Sequence, residues 1–189
     1  MKKALATLAA ALLLATAACG SDGGQELTHQ EQKVADNIAK ELSASSGARL
    51  PEKDATCFAE KFVADAGVKA LKDSKLIDAD GSVQQSGAKF DKPLAEKYAD
   101  AYLSCVDFSA QVAKTFAESD EGIDEEKLAQ CLDEELPDSL VKKVIIDTRS
   151  PDTANSKDVT EANQKVAECQ KQSQKDVPKD KQKKDSKKQ

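Results

Sequence analysis

Residues 52–58 read Glu-Lys-Asp-Ala-Thr-Cys-Phe, and residues 126–132 read Glu-Lys-Leu-Ala-Gln-Cys-Leu. Five of the seven positions match in type, the cysteine among them. The likeness continues downstream: Val68-Lys69 follows Cys57 by eleven residues, and Val141-Lys142 follows Cys131 by ten. Each stretch then reaches an amphipathic segment with a cysteine on its apolar face, Cys105 or Cys169. Together they read as two copies of one unit, made of a helix, a short helix and a return helix. The second copy is ten residues shorter between its cysteines, a difference matched by the turn-rich stretch Asp78–Gly87.

Working outward, helical periodicity covers nearly all the apolar sequence. Thr28 with Glu31 is a capping box, and Val34, Ile38 and Leu42 follow at four-residue steps. Pro51 opens a second helix in its first turn, where a missing N–H costs nothing. Ala55, Phe58, Ala59, Phe62, Val63 and Ala66 give it one apolar stripe,. Gly67 predicts a stop or kink, and Val68 to Ile77 a further short helix. Asp78-Ala-Asp-Gly81 is a turn signal, and residues 78–90 are expected to be the loosest part of the core.

Asp91-Lys-Pro93 opens what reads as the longest helix. Its stripe runs from Leu94 through Tyr98, Tyr102, Cys105, Phe108 and Val112 to Phe116, about six turns,. Gly122 breaks it. Ile123 and Leu128 bracket Asp124 as a hydrophobic staple around an N-cap. Leu128, Leu132 and Leu136 carry the next helix up to Pro137, and Leu140, Val141, Val144 and Ile145 a short one. Residues 149–157 form a polar loop. Asp158 and Glu161 are expected to cap a last helix through Val159, Ala162, Val166 and Cys169. The expected fold is all-α: a disulfide-stapled helical bundle of two similar units, about 50–106 and 124–170, within a domain spanning 27–173.

The N-terminus carries a different message. Lys2-Lys3 precede an apolar run from Ala4 to Ala15, and Thr16-Ala17-Ala18 precede Cys19. This is the n-region, h-region and small-residue cleavage site of a signal peptide over residues 1–18. The run is too short for a spanning helix, which needs roughly 20 residues. A cysteine straight after the small residues is a lipidation site, so Cys19 is expected to bear a palmitate-type diacylglyceryl anchor. The segment resembles a lipobox, with Thr16 where Leu is more usual. Residues 19–26 read as a flexible tether. Without the signal peptide's two lysines the net charge moves from −6 to −8.

Four cysteines remain: Cys57, Cys105, Cys131 and Cys169. An even number in an exported chain points to disulfides. Zinc is disfavoured, because no CxxC pair exists and His29 is the only histidine,. The repeat favours Cys57–Cys105 and Cys131–Cys169, while spacing alone leaves two other connectivities open. With its paired cysteines and duplicated units, the stretch 50–170 resembles small helical lipoproteins of high-GC Gram-positive bacteria. That resemblance implies fold and location and carries no assigned activity.

Candidate chemistry is sparse. His29, in the first turn beside the tether, has no partner in sequence for general-base work. Asp78-Ala-Asp80-Gly81 fails as a calcium loop, because the positions that must donate oxygen fall on Leu76 and Gly87. Glu118 to Asp138 hold ten carboxylates and one lysine. They read as a solvated helix face, with weak divalent-cation binding as the functional version. Residues 174–189 carry seven lysines and three aspartates. This tail is expected to be disordered and to offer a contact for anionic lipid or wall polymer. No phosphate loop, nucleophile elbow or metal cluster is present, and nucleic acid is an unsuitable partner for so acidic a chain.

The functional expectation is a non-enzymatic binding or interaction module. It sits lipid-anchored on the outer face of the cytoplasmic membrane, or on the periplasmic side where an outer membrane exists. Its partner is a protein or a small apolar molecule, and no catalytic residue, metal or cofactor is assigned. An envelope enzyme built from acidic residues, or a structural spacer, are the alternatives.

Overall fold

The computed structural model describes residues 26–44, 49–84, 88, 90–150 and 156–174. The signal peptide, Cys19, most of the tether and nearly all of the lysine-rich tail lie outside them. Among the described residues the chain forms eight helices and two isolated antiparallel bridges, Ile77 with Val83 and Ile123 with Gln174.

Local chemistry sets most of the helix starts. In α1 (His29–Ala44) the Thr28 amide donates to Glu31 Oε2 at 2.8 Å, and the Glu31 amide donates back to Thr28 Oγ1 at 3.3 Å. The Thr28 amide, together with the Thr28 hydroxyl that donates to the same Oε2 at 2.7 Å, holds the Glu31 carboxyl below its usual range,. Helix α2 (Glu52–Ala66) begins behind Pro51, and Gly67, at φ 76°, separates it from α3 (Val68–Asp73). Asp91 caps α4 (Lys92–Cys105), Asp107 caps α5 (Phe108–Ser119), and Asp124 caps α6 (Glu125–Glu135). Pro137 leads into α7 (Asp138–Arg149), and Ser156 caps α8 (Lys157–Gln172).

Two expectations are corrected. The six-turn helix from Asp91 to Phe116 is two helices. Val106 leaves helical geometry at φ −122° and ψ 125°, and the Asp107 carboxylate accepts from the Ala110 amide at 2.9 Å to start α5. An aspartate that can satisfy orphan N–H groups competes with helix continuation. The last helix is capped by Ser156, whose Oγ accepts from the Val159 amide at 3.1 Å, and not by Asp158 and Glu161. Where the 78–90 connection is described, Gly81 and Phe90 are buried, while Ala79, Asp80, Ser82, Gln84 and Ala88 are exposed, as a loosely packed stretch requires. Ile77 is buried, and Asn37 donates to the Gly81 carbonyl at 2.9 Å. Residues 85–87 and 89 are outside the described set.

The break at Val106 enlarges the repeat. Helix α1 packs on α2, and α5 packs on α6; α2 then pairs with α4, and α6 with α8. The step of 74 residues from Cys57 to Cys131 carries Val34, Ile38 and Leu42 of α1 onto Phe108, Val112 and Phe116 of α5. Each unit is therefore four helices, α1–α4 and α5–α8. Cys57 is joined to Cys105 with Cα atoms 5.7 Å apart, and Cys131 to Cys169 with 5.6 Å. This is the pairing that the repeat predicts. Closing loops of this length constrains the unfolded chain by about 4 kcal/mol per bridge.

The units meet where α4 lies against α7. One apolar core runs through both, with Phe58, Phe62, Leu71, Leu128 and Leu132 fully buried. A satellite cluster of Leu50, Ala55 and Val106 packs beside the Cys57–Cys105 bridge.

Candidate functional site

Two concavities open at the junction between the units. The larger, about 500 Å³, sits where α4 gives way to α5 and α6 to α7. Asp107, Asp133 and Asp138 line it together with Cys105. Asp107 is engaged as a helix cap, and the lining carries no cation to balance the three carboxylates. Among the described residues no three His, Cys, Asp or Glu side chains converge as a metal-binding group.

The smaller groove, about 210 Å³, is built differently. Leu42 and Leu50 form one wall, at the turn between α1 and α2. Tyr98 and Tyr102 of α4 form the floor. Phe108 of α5 and Ile145 of α7 close the far side, with Thr148 and Arg149 at the end of α7. Arg149 is the only charged residue in this lining. Its Nη2 donates to the Tyr98 hydroxyl at 2.8 Å, and its guanidinium carbon lies 4.5 Å from the centre of the same ring. Both contacts are with uncharged groups, so they fix the cation without neutralising it. A guanidinium carries five N–H donors.

The floor belongs to a cluster of five rings. Phe58 meets Tyr98 edge-on at 4.9 Å between centroids, Phe62 meets Tyr98 at 5.3 Å, and Phe90 and Tyr102 complete the group. Such contacts hold the tyrosines in fixed orientations. Burial pushes the Tyr98 hydroxyl up, against the opposing pull of Arg149. Tyr102 is pushed up to about 12, by burial first and by its neighbours Tyr98 and Asp54 after that. Both are neutral hydroxyls across the physiological range, suited to binding and not to nucleophilic or general-base work.

The residues singled out in sequence lie elsewhere. His29 is exposed as the first residue of α1. Asp78 turns its carboxylate on its own loop, accepting from the amides of Asp80 and Ser82 at 2.9 Å each. The acids from Glu118 to Asp138 are exposed apart from half-buried Asp124, the α6 cap, so a solvated face describes them. Cys105 lines the larger cavity. Cys19 and the tail beyond Gln174 are outside the described residues.

Sequence reasoning assigned Tyr98 and Tyr102 to the core stripe and Arg149 to a polar loop, and so missed the groove. One signal was available: this chain uses lysine 26 times and arginine only at Arg49 and Arg149. A planar guanidinium does what an ammonium does not, stacking on aromatic faces and forking onto carboxylates.

Comparison with known proteins finds no matching family model, no similar curated protein and no matching solved structure. Among the described residues no helix is long and apolar enough to cross a membrane.

Proposed function

We propose that this chain is a lipid-anchored protein of the cell envelope that works as a non-enzymatic binding module, with the groove between its two units as the binding site. The observation that carries the reading is the make-up of that groove: apolar walls, two neutral tyrosines and a single fixed cation. Ligand sites are mostly apolar concavities with a few placed polar groups, and the groove fits that description. The envelope part rests on the signal-like residues 1–18, on Cys19 as the lipidation site, and on two disulfides of the kind exported chains keep,. The lysine-rich tail supplies a second contact, to anionic lipid or wall polymer.

Two measurements test this. Substituting Cys19→Ala should release the protein from membranes and abolish lipid labelling; retention without lipid would refute the anchor. The soluble form, residues 20–189, should acquire a reproducible few hundred daltons of native mass after incubation with extract of its own envelope. An unchanged mass would transfer the reading to a protein partner. A competing reading, an envelope enzyme built from acidic residues, draws on the three carboxylates of the larger cavity. It requires an activity that Asp133→Asn or Asp138→Asn abolishes with the fold kept. A structural spacer would instead tolerate substitution in both cavities without phenotype.

A further inference from the structure

We infer that the groove between the units takes a small amphipathic carboxylic acid, its apolar body between Leu42, Leu50 and Tyr102 and its carboxylate on Arg149. This deepens the binding-module reading and rests on it.

Size comes first. A cavity of about 150 Å³ lined by apolar side chains is enough for a benzene ring. The groove, at about 210 Å³, takes one ring or a short alkyl body plus a head group, and no long-chain lipid. The walls come next. Leu50, Tyr98 and Ile145 are each less than a tenth exposed, so the apolar surface offered is the lip of a packed core, with Thr148 and Arg149 exposed at its rim.

Charge then selects the head group. Arg149 is the one charge in the lining, and Tyr98 holds its guanidinium in place through ring face and hydroxyl together. A prepositioned guanidinium meets a carboxylate with two parallel N–H···O bonds, the strong form of charge-assisted pairing. A neutral head group forgoes that. Thr148 adds no donor, because its hydroxyl is spent on the carbonyls of Val144 and Ile145 at 2.9 and 3.0 Å. The Asp54 charge acts to raise Tyr102, whereas the charge of Arg149 acts to lower both tyrosines. The anionic head therefore belongs at the Arg149 end and the apolar body over Tyr102.

Position comes last. Leu42 lies fourteen residues beyond Thr28 along α1, so by helix rise the groove is about 20 Å from where the tether enters,. The groove therefore lies at the opposite end of α1 from Thr28.

The test titrates residues 20–189 with phenylacetate and with its neutral isostere phenylacetamide, read by calorimetry and by perturbation of tyrosine ring resonances. Phenylacetate should bind at least tenfold more tightly. Arg149→Gln should bring it down to the level at which the same variant binds the amide, while Arg149→Lys keeps part of the preference. Thr148→Trp, which fills the groove from its rim, should weaken both. Equal binding of acid and amide, or an unchanged preference in Arg149→Gln, overturns the carboxylate inference and leaves the groove as a binding site. Absence of binding by either probe at millimolar concentration overturns the groove itself. Should Arg149→Gln fail to fold, the acid–amide comparison on the unsubstituted chain still decides.

Discussion

The two halves of this protein share a plan and differ in filling. In each, a leading helix packs on a cysteine-bearing helix, which is bridged to a return helix. Aligned on the first cysteines, Phe58 and Phe62 of the first unit stand opposite Leu132 and Leu136 of the second. Aligned on the second cysteines, Tyr98 and Tyr102 stand opposite Ala162 and Val166. The first unit thus holds the five-ring cluster, and the second is aliphatic at the same places. The contrast places the groove: large rings on α4 make a floor that Ala162 and Val166 cannot make on α8. The second unit still contributes, since Arg149 on α7 reaches across to Tyr98. The shared plan supplies the scaffold, and the difference at four core positions leaves a ring-floored groove at the junction.

The largest effect that can break this comparison is removal of one bridge at a time. The loops closed span 48 and 38 residues. Because the entropic gain grows only with the logarithm of loop length, these differ by about 0.2 kcal/mol out of about 4. Any larger gap between the two variants reports packing. Cys131→Ala/Cys169→Ala should lower the melting temperature further than Cys57→Ala/Cys105→Ala. Cys169 is fully buried, and the second unit has no ring cluster to hold it together. Thermal denaturation followed by circular dichroism gives the order. The reverse order would mean that the rings do not make the first unit the sturdier half.

A smaller effect probes the connection that lengthens the first unit. Gly81 adopts φ 86°, and a Cβ added there would come within 3.0 Å of Val34 Cγ2. Gly81→Ala combines a left-handed backbone penalty with overpacking, about 2–3 kcal/mol in sum. It should shift the urea midpoint without changing the slope, and amide exchange should quicken in α1 and α3 first. A neutral outcome would show that the 78–84 turn is not part of the core.

The helical character, most helix starts and both disulfide partners were legible because they rest on local signals. Capping residues, four-residue apolar steps and the repeated Glu-Lys-x-Ala-x-Cys each act within a turn or two of helix. The break at Val106 was hidden because the stripe from Leu94 to Phe116 keeps its phase across it. Only the Asp107 carboxylate marks the new start, and an aspartate on a helix face is ordinary. Missing that break also hid α5 as the counterpart of α1. The groove was beyond sequence because its parts lie far apart: Leu50, Tyr98 and Arg149 meet only when α4 packs on α7. Periodicity identifies a buried face and says nothing of which buried residues border a gap.

The finest distinction between the units is electrostatic. Both tyrosines of the chain lie in the first unit, and both hydroxyls are pushed up when folded. A group whose folded pKa exceeds its unfolded value binds more protons folded than unfolded between the two. Stability is then complete below the unfolded value, near 10, and falls as pH rises toward the folded value, about 12 for Tyr102,. A folded value of about 12 against 10 unfolded would correspond to about 2.7 kcal/mol for a fully shielded group,. Partial exposure of Tyr102 brings the expected loss to about 1–2 kcal/mol. Urea denaturation at pH 8 and pH 11.5 should show that loss, and Tyr102→Phe, having no proton to release, should recover part of it. Because the second unit has no tyrosine, the alkaline opening should appear first as loss of exchange protection in α2 and α4, with α6 and α8 following. Simultaneous opening of all four would mean that α4 and α7 lock the units into one cooperative body, so that their different interiors do not set the order of unfolding.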